Sequence, residues 1–436
     1  MTHPHGRPGA DVPAPSPRLL DRFSLGMYTA FLLWDWLLYV YGPAVQLLGD
    51  ELRFSATGIG LHGIALAVGT ALAGVVLPAA VGTLGRRGAL LAGAVLVAAG
   101  SIGLAALPTL PGTLAATVVL ALGGNLAIAA AQAGLVVHHG LRAAGSVSLA
   151  NGLGTLIGLF GPLLIGASVA LGRGWRPVVL ATVPLALVAT AVWLRMPVGG
   201  AMTARRGGAG AADDPGAVPA SDRPEPDQGP GTASATPRGP LPAAGWWYLL
   251  ATVAGVAVEN AITFWALTLV MARTGAGAGV AAATTAAFIG GMAASRLLGI
   301  GALRGRSPAV ALGAAFLVCA LGWLVLWLAT DPVVAVLGLA VAGLGCGLLY
   351  PLAAALLLAT ARGSTDAAQG VIMVAVGAAI GVVPFALGLL ADLVGVHTAF
   401  LLVPVLALGG LAAVRLGARG AATEPAAPPV AEPARG

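Results

Sequence analysis

Twelve apolar stretches of about 20 residues dominate the sequence, each long enough as a helix to cross a hydrocarbon core of about 30 Å. They fall at 23–47, 57–81, 88–109, 113–137, 148–171 and 177–196, then at 246–270, 280–303, 308–329, 333–359, 368–391 and 398–416. A backbone in lipid must satisfy its own hydrogen bonds, which for consecutive runs of this length leaves the helix. The 436 residues are 58% hydrophobic and 9% charged, with a mean hydropathy of +0.93. No water-soluble domain of this size carries that balance. The predicted fold class is therefore an all-α integral membrane protein with twelve transmembrane helices.

A stretch dense in Pro, Gly, Ala and Ser at 197–244 has no helical or strand periodicity and reads as an unstructured linker. It separates two six-helix units, 23–196 and 245–416, with disordered tails at 1–22 and 417–436. The first tail lacks the basic start and apolar core of a cleaved signal peptide. A shift of about 220 to 224 residues lays the first unit on the second. Gly85-Arg86 then falls on Gly305-Arg306, Pro162 near Pro384, and Val183 on Val403. Six crossings return the chain to its starting side, so the repeats are parallel and their pseudo-twofold runs along the membrane normal. The 22 basic residues are all arginine. With both termini in the cytoplasm, only Arg53, Arg173, Arg176 and Arg273 fall outside and Arg296 lies within a span. The positive-inside rule favours that orientation, in the plasma membrane.

Asp35, set between Trp34 and Trp36 in the first span, is the first functional candidate. A carboxylate at that depth costs roughly 2.5 to 3.5 kcal/mol on insertion scales, so it needs a partner or a task. The repeat places it on Glu259 of the seventh span. Each half thus presents one acid at an equivalent depth. Asp35, Tyr39, Gly42 and Gln46 recur at helical spacing and share a face; Thr252, Glu259 and Thr263 do the same. Asn125 and Gln132 share a face of the fourth span, Asn151 and Thr155 lie one turn apart in the fifth, and Asn260 adjoins Glu259. These faces can converge on one cavity at the midplane, where Asp35 and Glu259 would take up a proton or a cationic group. Asp35, Glu259, Tyr39, Gln46, Asn125, Gln132, Asn151 and Asn260 form the expected proton- and substrate-binding set. The competing reading makes each a polar contact between helices, worth about 0.6 kcal/mol on average.

Arg296, about two turns from the end of the eighth span, is expected to snorkel to the interface and serve gating, as are Arg86 and Arg87 in the turn after the second span. Asp392 reads as a helix-end contact. His138, His139 and Arg142 read as a solvated turn with no third metal ligand near, so no metal site is expected. Cys319 and Cys346 sit in apolar runs as small hydrophobes. No cofactor is implied. No basic cluster interleaves with aromatics, which excludes nucleic acid as a partner. A chain without lysine has no Walker-type phosphate loop, which argues against ATP-driven pumping by this chain alone.

Two six-helix halves, a long central linker and the turn at Gly85-Arg86-Arg87 resemble the major facilitator superfamily of secondary transporters, over residues 23–416. The family's turn carries an aspartate where this chain has Gly82, and a leading glycine where it has Pro78. The fifth span, with Gly154, Gly158, Gly161, Pro162 and Gly166, is similar to the glycine-rich pattern of proton-driven exporters in that family. The resemblance implies alternating access by a monomer in the lipid bilayer, coupled to protons, moving a small organic solute, with efflux of drugs or metabolites favoured. Uptake of a sugar or organic acid by proton symport stays open, as does a transport-dead sensor. An enzyme is not expected, because the short loops offer only scattered His and Asp.

Overall fold

The computed structural model describes residues 19–139, 143–197, 241–302, 307–360 and 365–423. The expected linker and tails lie mainly outside the described residues, as do Arg142, Arg304, Arg306 and Arg362. The described chain is helical: α1 (Arg22–Leu52), α2 (Ala56–Ala106), α3 (Leu110–His139), α4 (Ala143–Gly158), α5 (Phe160–Ala170), α6 (Arg176–Leu180) and α7 (Thr182–Arg195) in the first half. The second half holds α8 (Ala243–Thr274), α9 (Ala278–Ala302), α10 (Pro308–Leu328), α11 (Pro332–Thr360), α12 (Thr365–Val394), α13 (Val396–Ala399) and α14 (Leu402–Thr423). The last helix thus runs past 416, into the stretch expected as tail.

Among the described residues twelve crossings emerge once the breaks are placed. α2 is two arms, 56–84 and 86–106, divided at Gly85, whose φ of 69° lies in the left-handed region that glycine enters without a Cβ penalty. α4 with α5, α6 with α7 and α13 with α14 each make one crossing. Polar caps fix the ends of α1 and the start of α2. The Asp21 carboxylate accepts from the Ser24 amide at 2.7 Å, Arg53 closes α1 in the left-handed conformation, and the Ser55 hydroxyl accepts from the Gly58 amide at 3.0 Å.

Lipid supplies no hydrophobic drive between helices, so close backbone approach at small residues sets the packing. Within the first half, a Cβ on Gly93 would meet the Gly123 carbonyl and a Cβ on Gly123 the Gly93 carbonyl. The same device joins the halves. Gly60 of α2 faces the backbone of Pro384 and Phe385 in α12, and Gly166 of α5 and Gly279 of α9 face each other's carbonyls. Two polar bridges reinforce these seams. Gln46 of α1, 1% exposed, donates to the Phe264 carbonyl of α8 at 2.9 Å and accepts from the Thr268 hydroxyl. Asp392 of α12 caps the start of α2, accepting from the amides of Ala56 at 2.8 Å and Thr57 at 2.7 Å.

All these seams lie at one end of the molecule, where α1 and α8 finish and α2 and α9 begin. Along α2 and α12 the contact ends abruptly. Gly381 still faces Ala67, but Gly377, one turn on, and Gly74 have no neighbour within 4 Å. The halves are closed at the end opposite the start of α1 and the end of α14, and diverge toward the face that carries those two helix ends.

A Cβ at Gly60 would lie 2.8 Å from both the Phe385 Cα and the Pro384 carbonyl, atoms that no rotamer change can move. Gly60→Leu should therefore disfavour the closed end by about 1–3 kcal/mol. In a Cys319→Ser, Cys346→Ser background, a cysteine at Leu47 should label faster in the variant than in its parent. Equal rates would contradict this account of the seam.

Candidate functional site

Where the α2–α12 seam ends, a cavity of about 360 Å³ begins between the halves. α1 contributes Trp34, Asp35, Leu38, Tyr39, Tyr41 and Gly42; α2 to α4 add Leu66, Thr70, Asn125, Ile128, Asn151 and Thr155. From the other half come Val256, Glu259, Asn260, Thr263 and Phe264 of α8, Arg296 of α9, Tyr350 of α11, and Val376 and Ile380 of α12. The repeat-related acids therefore face one space. Asp35 is 8% exposed, and among the described residues no hydrogen bond reaches the carboxylate of either Asp35 or Glu259.

Glycines on α4 and α5 seat the acidic face of α1. A Cβ on Gly154 would collide with the Asp35 carboxylate, one on Gly158 with the Tyr39 ring, and one on Gly161 with the Val40 side chain. The glycine run read in the sequence as a family pattern is here a track against which α1 lies. Each later glycine serves a different neighbour, ending with Gly166 against α9.

Arg296 departs from the sequence expectation. Its guanidinium turns into the cavity, donating from Nε to the Gly347 carbonyl at 3.2 Å and from Nη1 to the Thr155 hydroxyl at 3.1 Å. The second contact crosses between the halves. Among the described residues the ion pairs closer than 4.0 Å are His138–Asp21 and Arg176–Glu51, so Arg296 faces the two acids without a direct bridge. A permanent cation and two carboxylates thus share one low-dielectric cavity.

The asparagines hold their donors close. Asn125 Nδ2 donates to the Thr70 hydroxyl and the Ala121 carbonyl, both at 2.9 Å; Asn151 donates to the Val147 carbonyl at 2.9 Å and Asn260 to the Val256 carbonyl at 2.8 Å. Asn125 thus spends both donors, leaving its amide oxygen to a solute, while Asn151 and Asn260 each keep an oxygen and one N–H. Two of the expected residues lie elsewhere. Gln46 is committed to the closed seam, and Gln132 is exposed and outside the cavity lining. Thr70, Tyr350 and Phe264 line the cavity without having been singled out, since none stands on a polar stripe in the sequence. Arg87 binds the Leu194 carbonyl at 3.2 Å and the Met196 carbonyl, within its own half. Arg86 lies beside it at the Gly85 break. A second hollow, of about 450 Å³, opens on the flank of the first half between Trp36, Phe160, Pro184 and Val188 and holds no charged group.

The turn expected at His138 and His139 is more structured than its sequence implies. Asp21, 117 residues away, meets His138 Nε2 at 2.7 Å, and His139 Nε2 meets the Ser24 hydroxyl at 2.7 Å. Partial burial opposes ionisation of Asp21, but hydrogen bonds from His138 and the Ser24 amide outweigh it and hold the carboxyl below its usual range. The expectation that no third metal ligand lies near is thereby corrected. Asp21, His138 and His139 each place one ligand-type atom within 4.8 Å of the others.

No protein-family profile and no curated protein matches this sequence. Solved structures do. A bacterial homologue of the human lysosomal transporter Spinster, inward-facing and occupied, superposes with a TM-score of 0.67 at 14% identity, over 92% of this chain and 96% of that one. The chain has the fold of the major facilitator superfamily. A D-xylose–proton symporter gives a TM-score of 0.64 at 12% identity, covering 91% of this chain and 96% of its own. The outward-facing major facilitator transporter FucP gives 0.57 at 16%, covering 91% and 99%. At these identities the likeness is one of architecture: two six-helix bundles around a central cavity in a multi-pass membrane protein.

Gly152 and Gly154 give a paired test of the glycine track, because Gly152 has no neighbour within 4 Å while Gly154 lies against Asp35. Gly154→Ala should lower the thermal midpoint of the purified protein in detergent. Gly152→Ala should leave it equal or slightly higher, since alanine gains about 0.5–1 kcal/mol over glycine within a helix. Matching shifts would mean that the track does not position Asp35.

Proposed function

We propose that this protein is a secondary transporter working by alternating access, in which Asp35 and Glu259 carry protons and Arg296 is their resident counter-charge. The observation that supports it is the meeting of two repeat-equivalent acids and one cation in a cavity between halves that are sealed at one end. Neutralising an acid by a proton leaves Arg296 with a surplus positive charge, and losing that proton restores its partner. Either change alters what the cavity holds best. Because the cavity is formed wholly within one chain, a monomer suffices.

The solute is a small organic molecule that can meet the side-chain amides of Asn125, Asn151 and Asn260 and the rings of Trp34, Tyr39 and Phe264. The arginine distribution supports an orientation with both termini in the cytoplasm of a plasma membrane, and in that orientation the arrangement described here is open inward. Efflux is the direction favoured by the resemblance of the fifth span. The second reading is proton symport for a sugar or organic acid, supported by the likeness to the D-xylose–proton symporter. The sign of the pH gradient that drives accumulation separates the two.

In proteoliposomes screened with a panel of organic solutes, an imposed pH gradient should drive net movement of at least one. Asp35→Asn should reduce gradient-driven accumulation by about tenfold or more while leaving solute exchange without a gradient. Indifference to the gradient, with unchanged rates in the variant, would sink the coupling assignment.

Asp392→Asn should weaken the carboxylate's hold on the start of α2 by about 0.3–1 kcal/mol, a two- to fivefold shift toward opening of the sealed end. Labelling of a cysteine at Leu47 from the outer side should rise accordingly. An unchanged labelling rate would remove Asp392 from the gate.

A further inference from the structure

We propose that Asp21, His138 and His139 form a divalent transition-metal site of the zinc class, joining the start of α1 to the end of α3. Asp21 is brought to the histidines by the fold, and one ligand-type atom from each residue lies within 4.8 Å of the others. Zinc bonds to nitrogen and oxygen of about 2.0–2.2 Å put tetrahedral ligands about 3.3–3.5 Å apart. His138 Nε2 and the Asp21 oxygen, now 2.7 Å apart, need only separate slightly, while the farther ligand atom closes by about 1.5 Å at most.

The surroundings are those of a held ligand set. Ser24, fully buried, supports two of the three groups: its amide fixes one Asp21 oxygen at 2.7 Å and its hydroxyl meets His139 Nε2 at 2.7 Å. His139 itself is 7% exposed, and its other nitrogen, Nδ1, is buried without a hydrogen-bond partner. A buried imidazole nitrogen without a partner keeps its desolvation cost uncompensated, so His139 is a side chain with coordinating capacity to spare. The His138 ring is clamped between Phe23, at a centroid distance of 4.5 Å, and His139, at 4.8 Å. Two imidazoles and one carboxylate select zinc-class ions over magnesium or calcium, which prefer all-oxygen shells, and leave a fourth position for water.

Asp21 precedes Asp35 by 14 residues of sequence, about 20 Å along α1, so this site is separate from the cavity acids. A metal there would pin the helix that carries Asp35 to α3 within the same half.

The test uses the full-length protein purified through a tag without histidine, with His3 and His5 replaced by glutamine, stripped with EDTA and titrated with ZnCl2. One equivalent should bind per chain and raise the thermal midpoint, reversibly on chelation. His138→Gln and Asp21→Asn should each weaken binding by about 100-fold or more, and Ser24→Ala by about 10- to 100-fold through lost positioning. Variants are scored only where they elute as the parent does, and His139→Gln substitutes for any that fail. Absence of zinc binding, or binding unchanged in all ligand variants, would overturn the proposal and leave the cluster a capping network only.

Discussion

Three charges in one low-dielectric space govern the rest of the structure. A carboxylate in a transmembrane helix costs roughly 2.5 to 3.5 kcal/mol on insertion scales, and two opposed acids cost more. Arg296 offsets this without pairing. At 4 Å and an effective dielectric of 20, a unit pair is worth about 4 kcal/mol, and Arg296 stands farther than that from both acids. Attraction and burial cost are therefore of similar size, which is the balance that the proposed proton coupling would act on. A tight ion pair would have lost that balance.

Every helix that presents these charges is held by close backbone contact. Asp35 reaches the cavity because Gly154 and Gly158 let α1 lie against α4. The halves meet through Gly60, Gly166 and Gly279, where backbone lies directly against backbone. Small residues thus serve two ends: they fix the acids and they form a seam that can part without unpacking large side chains. The same glycine run that suggested exporters from sequence carries a local packing reason of its own, which is independent of direction.

The twelve spans were legible because lipid imposes length and apolarity on each helix, and the break at Gly85 because arginines and glycine interrupt that pattern. Asp35 and Glu259 were legible because the repeat aligned them. Depth was not. Gln46 shares a helical face with Asp35 but lies 11 residues on, about 16 Å away and inside the closed seam. Gln132 stands seven residues beyond Asn125, about 10 Å nearer the open face. Periodicity assigns a face and says nothing of where a cavity stops. Arg296 was misread for a related reason: a position near the helix end suggests snorkelling, yet the halves diverge on that side and the cavity reaches it. The approach of Asp21 to His138 depends on how α1 lies on α3, which no local pattern encodes.

The carboxylate of Asp392 rests on the first turn of α2, where the helix's own amides lack internal partners. Such amides can donate to water in place of the carboxylate, and Asp392 can accept from water once exposed. Parting the seam therefore strands no donor and no charge in lipid. A fastening made of groups that water can also serve has a small free-energy difference between its joined and parted forms. Two populations of comparable weight are what a machine needs if it is to be driven from one to the other by the modest energy of a proton or a solute.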